Sequence, residues 1–180
     1  SCYYIGETIW IGLPYPVCEY EVEILMMISP GQFLYNEIIC GATSKDYEDL
    51  CVWLLSNNIE NPIVLDVASN GTNFFDFDFK KNIILDSAGI NNLSLQAEIK
   101  FVEKYLIEEF NKNEISLRIL VNKMANICTN KNLYEEYGIW YALDETLDYY
   151  LNDGKGTMFY ELKGDPIKAA IEILKNQNRI

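Results

Sequence analysis

Two periodicities divide this chain. In the first third, apolar and polar residues alternate or form short apolar runs. Residues 2–12 carry Tyr3, Tyr4, Ile5, Thr8, Ile9, Trp10 and Ile11, the aromatic and β-branched content of a strand. Leu13-Pro14-Tyr15-Pro16 breaks the run, and residues 17–28 predict a second strand. There Glu19, Glu21 and Glu23 fall on one face and Tyr20, Val22 and Ile24 on the other. Ser29-Pro30-Gly31 reads as a turn and residues 32–40 as a third strand. Further on, residues 63–67 form a short apolar strand, Asn70-Gly71 a hairpin turn, and residues 74–79 the return strand. That strand places Phe75, Phe77 and Phe79 opposite Asp76 and Asp78, and Lys80-Lys81 leads into a strand at 83–86.

Helical spacing appears first at 44–57, where Tyr47, Leu50, Cys51, Leu54 and Leu55 share a face behind a Thr43 or Ser44 cap. Ser94 caps a helix at 95–111 with a stripe of Leu95, Ile99, Val102, Leu106 and Phe110. Residues 115–128 fit both periods, and the reading favours a helix through Leu117, Leu120, Met124 and Ile127. Residues 133–152 follow as a helix with a stripe of Leu133, Tyr137, Trp140, Leu147 and Leu151. Asp144 falls inside that stripe, where an unpaired carboxylate is costly, so a break at Gly138 that re-aims the helix is one resolution. Residues 157–162 read as an edge strand. Asp165-Pro166 opens a last helix with a cap and a proline at its first position. The pattern predicts a single α+β domain over residues 1–180: an antiparallel sheet from the N-terminal half, packed with helices mainly from the C-terminal half.

Charge sharpens this picture. The formal net charge is −13 and histidine is absent, although 49% of the chain is hydrophobic. Without histidine there is no Ser-His-Asp or Cys-His catalysis and no His-ligated metal. A chain this acidic repels nucleic acid and anionic membranes and attracts a basic protein. The five cysteines (Cys2, Cys18, Cys40, Cys51, Cys128) form no CxxC pair and read as reduced, mostly buried thiols. No apolar run reaches the length of a membrane span, and no leader pattern opens the sequence, so a cytoplasmic location is expected.

The densest stretch is 132–154. It holds Glu135, Glu136, Asp144, Glu145, Asp148 and Asp153, five tyrosines and Trp140, with no Lys or Arg. Carboxylates steer a basic partner and aromatic rings supply contact area. Tyr137, Trp140 and Tyr141 are assigned to the core. The candidate partner-binding residues are Glu135, Asp144, Glu145, Asp148, Tyr149, Tyr150 and Asp153, with the Glu19, Glu21, Glu23 face as a second patch. That second patch also reads as solubilising charge on an exposed strand. A competing constellation is Asp66, Asp76, Asp78 and Asp86, oxygen ligands on neighbouring strands that suit Mg²⁺, though they are equally the polar face of ordinary strands. No catalytic residue, cofactor site or metal site is assigned, and no enzymatic activity is expected.

In its acidic, histidine-free, tyrosine-rich 132–154 stretch and its Glu19, Glu21, Glu23 face, the chain resembles the immunity proteins of contact-dependent growth inhibition and related bacterial polymorphic toxin systems. The resemblance lies in composition and size, without a shared motif. It implies a cytoplasmic protein that binds a cognate basic toxin domain, often a nuclease, and blocks its active site or a neighbouring surface. The alternatives are a metal-dependent enzyme built on the four aspartates and a regulatory or scaffold domain with an ordinary protein partner.

Overall fold

A computed structural model describes residues 27–72, 77–152, 154 and 157–180. These residues form eight helices: α1 Pro30–Cys40, α2 Ser44–Ser56, α3 Pro62–Asn70, α4 Phe77–Ser87, α5 Leu95–Asn111, α6 Leu117–Lys131, α7 Tyr134–Leu151 and α8 Pro166–Asn176. Among the described residues there is no strand, so the expected α+β fold with an antiparallel sheet is overturned. The strands expected at 32–40, 63–67 and 83–86 lie in α1, α3 and α4, and residues 77–79 of the expected 74–79 strand open α4. Residues 157–162 form no strand either. The strand expected at 2–12, and all but the last two residues of that at 17–28, lie outside the described residues.

The same misreading recurs for a physical reason. Ser29-Pro30 and Asn61-Pro62 look like breaks, yet each is a helix start. The Ser29 and Asn61 side chains accept hydrogen bonds from the backbone N–H of Gln32 and Ile63, and each proline occupies the first turn, where no N–H is needed. Asp165-Pro166 is built the same way and opens α8. Gly71 is the C-cap of α3, with φ 72°, rather than half of a hairpin turn. Helix ends rely repeatedly on asparagine: Asn58, Asn113, Asn132 and Asn178 all adopt positive φ just beyond α2, α5, α6 and α8. The helices expected at 44–57 and 95–111 are present. Thr43 makes a full capping box with Asp46, and the ambiguous 115–128 segment is helix α6, capped by Ser116.

One buried cluster draws on all eight helices, from Phe33 and Leu34 in α1 to Ala170 and Leu174 in α8. The most extensive pairing is the antiparallel α6–α7 hairpin; α1 joins the N-terminal helices to α5 and α6. A polar seam crosses this junction. Lys123 Nζ donates to Gln32 Oε1 (2.9 Å), Gln32 Nε2 to Asn36 Oδ1 (2.7 Å), and Asn36 Nδ2 to Asp46 Oδ1 (2.7 Å). Burial pushes the Lys123 ammonium below its ordinary range. Burial would raise the Asp46 carboxyl, but the hydrogen bonds from Thr43 and Asn36 outweigh it and hold the group low.

Gly31 in α1 is fixed by close approach. A Cβ there would lie 2.2 Å from Tyr105 Cγ on α5 and 2.6 Å from its Cβ, atoms that cannot swing aside without moving the helix. Glycine to alanine inside a helix ordinarily stabilises by about 1 kcal/mol. Here Gly31→Ala is expected to destabilise by about 1–3 kcal/mol, read as a lowered urea midpoint. A stabilised variant would mean that α1 and α5 are not in contact at this point.

Candidate protein-interaction surface

Helix α7 is positioned by its buried face. Tyr137, Trp140, Leu143, Thr146 and Leu147 are buried, so the stripe is carried by Leu143 and Thr146 where Leu133 and Leu151 were expected. Leu151 is 51% exposed and Leu133 is half-buried. Gly138 does not break the helix, which runs straight through it. Asp144 therefore stays beside the core, and it is paired. Arg118 of α6 donates from Nη1 to Asp144 Oδ1 (2.7 Å) and to the Asp144 carbonyl (3.1 Å), and from Nη2 to Asp148 Oδ1. Asn152 Nδ2 adds a 3.2 Å bond to Asp148. The Asp144 side chain is only 16% exposed, and burial raises its carboxyl above the usual range despite the opposing pull of Arg118.

These contacts divide the candidate residues. Asp144 and Asp148 belong to the α6–α7 seam, where they share one internal cation. Glu135 and Glu136 are exposed in the first turn of α7, and Glu136 accepts from Gln96 of α5. Glu145 lies one turn beyond Tyr141 and is the main cause of that phenol's raised pKa. Tyr149 and Tyr150 meet edge to face at 5.5 Å. The Tyr150 hydroxyl is partly committed inside the fold: it accepts from the Leu162 N–H (3.1 Å) and faces Met158 Sδ (3.4 Å). Asp153, Glu19, Glu21 and Glu23 lie outside the described residues.

Among the described residues, Asp66, Asp78 and Asp86 do not gather into a metal-ligand group. Asp66 on α3 is bound to Lys80 of α4 (2.8 Å) and to Asn70, while Asp86 accepts from Asn91. Asp78 is exposed at the start of α4, and Asp76 lies outside the described residues. Among the described residues no group of three or more Asp, Glu, Cys or His converges.

Several site-forming residues carry no local signal in the sequence. Arg118 lies 26 residues before Asp144, so only the hairpin brings them together. The Thr146 hydroxyl, fully buried, donates to the Ala142 carbonyl (2.7 Å) and accepts the backbone N–H groups of Phe159 (3.1 Å) and Tyr160 (3.3 Å). It pins the segment after α7 against that helix. Phe159 then closes an aromatic row: Tyr134 meets Tyr141 at 5.4 Å with ring planes at 89°, and Tyr141 meets Phe159 at 5.9 Å and 65°. Tyr134 is 45% exposed, Met158 48% and Phe159 51%. Beside Tyr134, a cleft of about 370 Å³ opens at the start of α7, lined by Asn132, Leu133, Glu135 and Glu136. The result is an exposed apolar surface rimmed by carboxylates.

No protein-family model, no curated protein and no solved structure matches the chain. Among the described residues, no helix is long and apolar enough to cross a membrane.

The Arg118 fork has a pH signature. An acid with a raised folded pKa holds its proton more firmly in the folded chain. Stability therefore falls as pH rises from the unfolded value, about 3.9, through the raised folded one. Arg118→Met removes the opposing guanidinium and widens that interval. The variant is expected to lose about 2 kcal/mol at pH 7, and clearly less near pH 4. Urea unfolding at the two pH values measures the difference; equal losses would rule out the unpaired Asp144 charge as their source.

Proposed function

We propose that this protein is an immunity protein, which binds a cognate basic antibacterial toxin domain in the cytoplasm and neutralises it. A nuclease is the toxin class that best fits an acidic, aromatic surface, because a phosphate-binding cleft is basic and recognises stacked rings. The observation that carries this reading is the Tyr134, Tyr141, Phe159 surface with Glu135 and Glu145 at its edge, in a chain of net charge −13. Exposed apolar surface rimmed by charge is a mark of protein interaction sites. Asp144 and Asp148 add less attraction than their number suggests, since both share the one Arg118 guanidinium and Asp144 is largely buried.

Such a partner associates quickly at low salt and is slowed by screening, while its residence time depends on the aromatic contacts. Capture from the native host at low salt, followed by a high-salt step and mass spectrometry, is expected to release one basic toxin domain. Against that domain, Glu135→Lys combined with Glu145→Lys should slow association about tenfold or more and change dissociation less, as read by surface plasmon resonance. Glu135 is exposed and Glu145 is outside the buried face of α7, so the fold should be retained. Unchanged association would place the binding surface elsewhere on the molecule.

A further inference from the structure

The aromatic row has a more specific geometry than an apolar patch requires. Tyr134 and Tyr141 stand at right angles, so their rings form the two walls of a corner, and Phe159 packs against Tyr141 at 65°. Glu145 is one turn along from Tyr141, close enough to dominate its electrostatic surroundings. Aromatic walls with an adjacent carboxylate are the two elements that recognise a planar cation: the ring faces attract its charge and the carboxylate takes its N–H groups. Guanidinium suits this better than ammonium because it is flat, stacks on rings and is weakly hydrated. The stretch 132–154 contains no Lys or Arg to fill the corner from within, and Arg118 is spent on Asp144 and Asp148.

Resting on the proposed partner class, we propose that the Tyr134–Tyr141–Phe159 corner, with Glu145 beside it, receives an arginine side chain of the basic partner, and that Thr146 is the positioning residue that holds Phe159 in place. Thr146 takes this part because its one hydroxyl satisfies two successive amides of a segment that has no regular secondary structure of its own. Among the described residues, without it the nearest backbone anchor of this segment to α7 is the Tyr150–Leu162 bond, three residues on. The ring is thus set before the partner arrives, which lowers the ordering cost of binding.

The test titrates the 180-residue chain with nona-arginine and nona-lysine peptides by calorimetry and follows amide hydrogen exchange in the free protein. Nona-arginine is expected to bind about tenfold more tightly than nona-lysine. Phe159→Ala should bring that ratio close to one and leave the lysine peptide's affinity as it was. Thr146→Val should speed exchange at the Phe159 and Tyr160 amides about tenfold or more and reduce the arginine preference several-fold. Thr146→Ser, which keeps the hydroxyl, should preserve both. Equal affinities for the two peptides, or a preference indifferent to Phe159→Ala, would overturn the arginine corner while leaving the attraction to a basic partner intact. Amide exchange unaltered in Thr146→Val would overturn the positioning role. Failure of both peptides to bind would instead strike at the proposed basic partner itself.

Discussion

Helix α7 is held by the only two arginines in the chain. Arg118 reaches from α6 and forks onto Asp144 and Asp148. Arg179, next to last in the sequence, donates to Glu103 of α5 (3.1 Å) and to the Glu136 carbonyl, and its guanidinium lies over the Tyr137 ring. A planar fork with fixed donor directions constrains rotation as well as distance, which an ammonium does not. Between these clamps Trp140 is fully buried and donates its indole N–H to the same Glu103 carboxylate (3.0 Å). The rotation of α7 about its own axis is therefore set on more than one side. Which aromatic rings face outward follows from that rotation.

The division of the acidic residues follows from the same constraint. A stretch of six carboxylates without a cation looks uniform in sequence. Wrapped onto a helix against α6, it separates into a seam and a face. Asp144 and Asp148 turn toward Arg118, whereas Glu135 stays in solvent. The count of six carboxylates thus overstates how many of them a partner meets unpaired. The burial of Cys51, whose thiol is pushed up to about 12 by burial with Glu48 nearby, and of Cys128 leaves Cys40 as the exposed thiol among the described residues.

How much of this was legible depended on which signal was local. Long helices with strong stripes, α2 and α5, could be read nearly to the residue, because their caps (Thr43, Ser94) and their apolar spacing agree. The short helices α1, α3 and α4 could not. Their runs of Ile, Val, Leu and Phe are too short to separate a buried helix from a buried strand, and Ser-Pro and Asn-Pro signal a turn and a helix start equally well. Asparagine at positive φ, used to end α2, α5, α6 and α8, is a weaker marker of a helix end than glycine. The concentration of acid and aromatic residues on one helix was visible in the sequence. The Arg118 fork and the Thr146 pin were not, since both join residues brought together only by tertiary packing.

The seam from Lys123 to Asp46 passes through two carboxamides, each of which has a head that accepts and a tail that gives. All of its links point the same way, from cation to anion. Turning either amide end for end would set donor against donor on one side and oxygen against oxygen on the other, so two links fail at once. The orientation of Gln32 and Asn36 is thereby dictated from outside α1, by a lysine on α6 and an aspartate on α2. A vectorial chain of this kind works as a parity check on assembly: it closes only when all three helices are in register, and an error in any one of them is felt at both ends.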